Sequence, residues 1–222
     1  MTYGIQYLQL AGEEDPRTVT APRVDIAPDV DQYFASIVRQ AVAARQVEVS
    51  AAACHYLALL LSGYARGGWG SEALDQPLTL QLHEALEAAG MARFQRLRAV
   101  GDGVLYVLGF FGGALTRRGA NRSYVMNIGA RAYEHASGMM RLGGGSAGAM
   151  DGLDVLGELS QKFDRVVEVV TEVADGALAR SDHDDEAVLR LYERWRETGS
   201  ARLAEALGNL GIRPVRSPRG VH

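Results

Sequence analysis

Apolar residues recur at alternating steps of three and four along most of this chain, the period of a helix that packs on one face. In the clearest segment the apolar positions are Leu156, Leu159, Phe163, Val166, Val170, Val173 and Ala177. The opposite side carries Glu158, Lys162, Arg165, Glu168, Glu172 and Asp175. This separation predicts one amphipathic helix of about 25 residues.

Comparable patterns predict seven or eight helices in all. The first is expected to be capped by Asp29, and Ser50 precedes a second segment that is apolar nearly all round, as in a central helix. Gly199 is placed to end one helix, and Ser200 to cap the next. No fixed interval repeats, which argues against a solenoid. The predicted fold class is therefore an all-α multi-helix bundle.

Glycines interrupt an otherwise regular helical pattern between Phe94 and Leu115. They are Gly101, Gly103, Gly109, Gly112 and Gly113. A glycine within a helix costs about 1 kcal/mol relative to alanine. We therefore expect these residues to mark a kink, close contacts between elements, or the helix end. In the following helix Gly129, Ala132 and Ala136 share a face, which would let another backbone approach closely.

The two ends of the chain lack a helical period. Tyr3, Ile5 and Tyr7 lie on one side of an alternating, strand-like segment. Residues 1–28 are predicted to form an extended N-terminal arm, 29–212 a single helical domain, and 213–222 a flexible basic tail. Pairing of the strand with its own copy across a two-fold axis would make a homo-oligomer, with these three residues at the interface.

Composition indicates a soluble, cytoplasmic protein. The 222 residues are 47% hydrophobic and 23% charged, as in ordinary globular proteins. The net charge of −4 provides no long-range attraction to nucleic acid or to an anionic membrane. Cys54 is the single cysteine, so no intramolecular disulfide can form. The N-terminus lacks the features of a secretory signal, and the most apolar runs are shorter than a membrane span.

Several motifs lack the context that their chemistry requires. The glycine run at 142–153 follows a helical segment and has no Lys-Ser/Thr pair, so it is predicted to be a linker. His83 and Glu87 are a single pair on one helical face, which does not make a metal site. Adjacent Cys54 and His55 point about 100° apart on a helix and cannot act as nucleophile and base. The sequence thus predicts no catalytic residues, metal or cofactor.

Two functional interpretations follow. The preferred one is a non-catalytic accessory or regulatory protein that acts through protein–protein contacts. The alternative is a bundle that binds haem or another apolar molecule, in a pocket lined by His55, Tyr106, Phe110, Phe111 and His135. An enzyme would require convergent polar groups, such as Asp102, Arg131 and Glu134. The basic cluster of Arg117, Arg118 and Arg122 is explained by a helix end, where cations are favoured.

Two segments resemble a family of bacterial all-helical proteins that has no assigned activity. From Arg98 to Ala136 the match is carried by Gly101-Asp102, Gly109-Phe110-Phe111, Tyr124, Gly129 and Ala132-Tyr133. From Leu191 to Ile212 it is carried by Tyr192, Arg194-Trp195 and Thr198-Gly199-Ser200. The two segments cover a little over a quarter of the chain. The resemblance implies an all-helical cytoplasmic protein and brings no catalytic residues.

Overall fold

Nine α-helices make up almost all of the regular structure in the computed structural model, which describes residues 27–67, 76–117, 119–143, 154–180 and 184–215. They are α1 (Ala27–Arg45), α2 (Ala51–Ala65), α3 (Leu78–Glu87), α4 (Gly90–Arg117), α5 (Arg122–Gly143), α6 (Val155–Gln161), α7 (Phe163–Leu178), α8 (Asp185–Thr198) and α9 (Ala201–Asn209). These ranges contain no strand. The predicted all-α fold class is confirmed for this part of the chain, whereas the predicted number of helices was slightly too low.

The additional helix arises at Lys162, within the segment predicted as one long helix. Lys162 has φ −108° and ψ 23°, and it separates α6 from α7. The Lys162 ammonium donates to the Glu48 carbonyl at 2.6 Å and to the Glu158 carboxylate at 3.1 Å. The bond to Glu48 ties Lys162 to the connection between α1 and α2. The pattern of apolar positions carries no signal for such a tie, so the single helix is corrected to two.

The helix ends follow local sequence signals. Ser50 caps α2, since its hydroxyl accepts from the Ala53 amide at 3.0 Å. The Ser200 hydroxyl accepts from the Leu203 amide at 3.5 Å at the start of α9, and Gly199 ends α8 with a left-handed φ of 65°. These three predictions are confirmed. Helix α1 begins at Ala27, two residues before the predicted cap at Asp29.

The central helix of the bundle is α4, which packs against α3, α5, α7 and α8. The main hydrophobic core draws on α1 to α7, and its largest fully buried members include Leu57, Leu97, Leu105, Tyr133 and Leu159. A smaller core forms between α8 and α9 from Leu191, Trp195, Leu203 and Leu207. Helices α8 and α9 therefore have a small core of their own, and the polar contacts of α8 with α4 and α7 help to attach the pair to the rest of the bundle.

Helix α4 is also the single helix, among the residues that the structure describes, that is long and apolar enough to cross a membrane by composition. Its most apolar 18-residue window has a mean hydropathy of 1.4. Of that window, 56% is buried inside the protein.

Three glycines of α4 and α5 permit close contact between helices. A Cβ at Gly101 would overlap the ring of Tyr133, and a Cβ at Gly109 would lie 2.8 Å from the Val170 Cβ. A Cβ at Gly129 would lie 2.7 Å from Val104 Cγ1. The sequence predicted that the glycines of α4 mark a kink, close contacts between elements, or the helix end. Close contact between elements is confirmed at Gly101 and Gly109.

This packing predicts opposite effects for two Gly→Ala substitutions within helices. Gly101→Ala should lower the free energy of unfolding by about 1–3 kcal/mol, because the fully buried Tyr133 ring leaves no space for a methyl group. Gly138→Ala, in α5, should raise it by about 0.4–1 kcal/mol, since nothing lies within 4 Å of its added Cβ. Urea unfolding of both variants measures the difference. Equal stabilisation by the two would contradict the close contact.

Candidate functional site

The residues predicted to line a ligand pocket are only partly brought together. Tyr106 of α4 stacks on Tyr64 with ring centroids 3.9 Å apart, and on Phe110 at 4.7 Å. Phe111 contacts Tyr106 edge-on at 5.9 Å and is 48% exposed. By contrast, His55 and His135 lie on the exposed surface of α2 and α5. Three of the five residues therefore form a cluster, whose rings contact one another.

The predicted interaction residues Tyr3, Ile5 and Tyr7 lie outside the described residues, so the homo-oligomer stays a prediction. His83 Nε2 lies 3.3 Å from Glu87 Oε1 at an exposed position on α3. Within the described ranges no group of three or more His, Cys, Asp or Glu side chains is placed to hold a metal ion.

A carboxyl group, that of Asp102, is buried in the middle of α4 with only 2% of the residue exposed. Its Oδ1 accepts from the Tyr56 hydroxyl at 2.5 Å and from the Tyr133 hydroxyl at 2.7 Å. Arg98 Nε lies 3.7 Å from Oδ2. Burial raises the pKa of Asp102 to about 6, although the two tyrosines and Arg98 oppose the change. Burial likewise raises the pKa of Tyr133 well above its ordinary value.

An enzyme would need polar side chains that converge on one site, but Asp102, Arg131 and Glu134 do not meet in the structure. Arg131 and Glu134 are exposed on α5, whereas Asp102 is buried. The partners of Asp102 are instead two tyrosines from α2 and α5. Asp102 is the one acidic residue of α4, and this was the available signal for a buried polar group, but it does not identify the partners. Three mutually bonded groups that are largely buried form a structural network.

An open groove of 370 Å³ lies between α3 and α5, and we call it the α3–α5 groove. Its lining includes Leu82, His83 and Leu86 of α3 together with Tyr124, Ile128 and Arg131 of α5. Ile128 is buried beneath the groove, whereas Tyr124 is 54% exposed at its edge. Asn121 positions this end of α5, because its Oδ1 accepts from the Tyr124 amide at 3.1 Å. The groove is thus an apolar depression with aromatic and basic groups at its border.

A second, polar cleft of 480 Å³ lies between α1, α4, α5, α7 and α8, and we call it the arginine cleft. Its charged lining consists of Arg45, Arg117, Arg122 and Arg194 with Glu168 and Glu197. The sequence showed Arg117 and Arg122 as neighbours at a helix end. It did not show that Arg45 and Arg194, from distant helices, face the same space.

Comparison with known proteins reveals no relative of this chain. No family model, curated protein or solved structure matches it. The resemblance of the segments Arg98–Ala136 and Leu191–Ile212 to a bacterial helical family therefore stays a prediction. Function is therefore inferred from the geometry of the α3–α5 groove and of the arginine cleft.

Proposed function

We propose that this protein is a non-catalytic accessory or regulatory factor that acts by binding another protein through the α3–α5 groove. The observation that carries the proposal is the combination of an apolar floor with Tyr124 and Arg131 at the border. Tyrosine and arginine are enriched among the residues that dominate binding energy at protein interfaces. A half-exposed tyrosine next to buried Ile128 offers a partner both apolar area and a polar hydroxyl.

The shape of the groove suits a helix of the partner. On α3 the lining residues Thr79, Leu82 and Leu86 follow one helical face, and on α5 Tyr124, Ile128 and Arg131 do the same. The space between two packed helices accepts a row of side chains from a third helix. An amphipathic helix with apolar residues three and four positions apart would fill it.

The positive charge of Arg131 at the edge of the α3–α5 groove favours a partner helix with acidic side chains. Arg131 is exposed and makes no ion pair with any residue that the structure describes. An acidic side chain on the partner helix would complement it, and such pairs favour correct orientation and faster association. The partner segment is therefore an amphipathic helix that places Asp or Glu opposite Arg131.

A photo-crosslinking experiment identifies the partner. A benzoylphenylalanine at Asn127, which is exposed and lines the groove, should form a covalent adduct with one protein in cells of the source organism. The same probe at Leu189, an exposed residue of α8, is the matched control. The purified partner is then titrated against the variants.

Tyr124→Ala should weaken binding of that partner about 30-fold, the effect of a hot-spot residue that contributes about 2 kcal/mol. Arg131→Glu should also weaken binding, and exchange of the opposing acidic residue for arginine should restore it. Leu189→Ala should leave the affinity unchanged. Crosslinks that form equally from both probe positions, or an affinity that Tyr124→Ala does not alter, would contradict the proposal.

A further inference from the structure

Among the residues that the structure describes, one cation of the arginine cleft has no ion-pair partner. Arg45 lies 3.1 Å from Glu172, Arg194 lies 2.7 Å from Asp175, and Arg117 contacts Glu197. Arg122 makes no ion pair within the part of the chain that the structure describes.

The Arg122 side chain is held in the cleft rather than extended into solvent. Its residue is half-buried, and a Cβ at Gly112 would lie 2.6 Å from its Nη1, so the guanidinium rests close to the α4 backbone. Burial lowers the pKa of Arg122, and the charge of Arg194 lowers it further, while Glu168 acts in the opposite direction. The guanidinium is thus partly desolvated and next to a second cation. An anion placed between the guanidinium groups of Arg122 and Arg194 would offset both the cost of desolvation and the repulsion between the two cations.

Charge in and around the cleft is unbalanced. When every described residue that ion pairs connect to the lining is included, directly or through Glu172, six arginines stand against four carboxylates, an excess of two positive charges. The arginines are Arg45, Arg117, Arg122, Arg165, Arg194 and Arg202, and the carboxylates are Glu168, Glu172, Asp175 and Glu197. The whole chain carries a net charge of −4, so this local excess is opposite in sign to the protein. A ligand with two negative charges would neutralise it.

The donors available in the cleft are guanidinium groups rather than hydroxyls. The threonines that line it already donate to carbonyls of their own helices: Thr116 to Gly112 at 3.0 Å, Thr171 to Val167 at 2.8 Å and Thr198 to Arg194 at 3.0 Å. The planar guanidinium fork matches the oxygen geometry of phosphate and can bind two oxygens at once. A phosphate monoester carries about −1.5 to −2 charges at neutral pH.

We propose that the arginine cleft binds a small molecule that carries a phosphate monoester, with Arg122 as its principal anion-binding residue. The volume of 480 Å³ lies within the range of small-molecule sites. The phosphate contacts Arg122, and Arg194 supplies the second positive charge without leaving Asp175. This inference is independent of the α3–α5 groove, so either can fail without the other.

Calorimetric titration of the full chain at constant ionic strength tests the site, with glycerol 3-phosphate as the probe. Methanesulfonate, a monoanion, and succinate, a dianion without phosphate, are the comparison ligands. Glycerol 3-phosphate should bind at least 10-fold more tightly than either. Arg122→Gln should lower that affinity at least 10-fold. Arg190→Gln, which alters an exposed arginine paired with Glu186 elsewhere on α8, should leave it unchanged.

If Arg122→Gln lowers the stability of the protein, a second variant still tests whether glycerol 3-phosphate binds in the cleft. Glu168→Gln removes a lining carboxylate and should tighten binding of glycerol 3-phosphate several-fold, because it raises the local excess of positive charge. Absence of binding at millimolar concentration, or equal affinities for phosphate and sulfonate, would overturn the proposal. Tighter binding of succinate would overturn the assignment to phosphate. An affinity that neither substitution changes would overturn the role of the cleft.

Discussion

Arg194→Met should lower the free energy of unfolding by about 3–5 kcal/mol, the effect of removing one member of a buried ion pair. Arg194 Nε lies 2.7 Å from Asp175 Oδ1, and the Asp175 side chain is 0% exposed. The other nitrogens of Arg194 donate to the α4 carbonyls of Gly109 at 2.6 Å and Phe110 at 3.0 Å. One side chain therefore connects α8 to both α7 and α4. Without it the Asp175 carboxylate loses its cation in a place that water does not reach.

Urea unfolding at pH 7 measures this effect, and the same helix supplies the control. Arg190 pairs with Glu186 at 2.7 Å, but both side chains are more than half exposed. Arg190→Met should therefore change stability by less than about 1 kcal/mol. Asp175→Asn added to Arg194→Met should recover part of the loss, because no carboxylate then stays unpaired. A loss from Arg194→Met as small as that from Arg190→Met would contradict the role of the ion pair.

The Asp102→Asn variant should gain about 2 kcal/mol of unfolding free energy relative to the unchanged protein as pH rises from 4.5 to 7.5. Burial raises the pKa of Asp102 from 3.8 to about 6, so the folded state binds this proton more tightly than the unfolded state does. The stability due to that proton is present below pH 3.8. It is lost as pH rises through the folded pKa.

Asparagine keeps an oxygen that can accept from Tyr56 and Tyr133, so the variant retains the hydrogen bonds without the buried charge. Urea unfolding at pH 4.5, 6 and 7.5 gives the dependence. Glu205→Gln, at an exposed carboxylate of α9, should show no comparable trend. A difference between Asp102→Asn and the unchanged protein that is constant over this range would show that Asp102 does not titrate near pH 6.

Most of the secondary structure could be predicted from sequence because each helix buries one face. The three-and-four spacing is a local property, and the caps at Ser50 and Ser200 depend on residues only three positions away. The division at Lys162 could not be predicted, because its ammonium contacts the Glu48 carbonyl, 114 positions earlier in the chain. Local patterns identify which side of a helix is buried, but they do not identify its neighbour.

The candidate sites likewise depend on contacts between residues that are distant in sequence. Tyr106 and Phe110 are four apart on one helix, so their contact was predictable, but the stacking partner Tyr64 comes from α2. Arg122 and Arg194 are 72 positions apart in sequence and meet only because α5 and α8 both flank α4. In the sequence, Asp102 was one of three candidates for a polar cluster, with Arg131 and Glu134. The tyrosine partners of Asp102 were visible only in the packed bundle.

Binding of the partner through the α3–α5 groove can be observed residue by residue. Amide chemical-shift mapping of the labelled protein, with and without the purified crosslinked partner, tests it directly. The largest changes should fall on Thr79 to Leu86 and on Tyr124 to Arg131, with none around Leu189. Changes concentrated on α8 and α9, with α3 and α5 unaffected, would contradict binding through this groove.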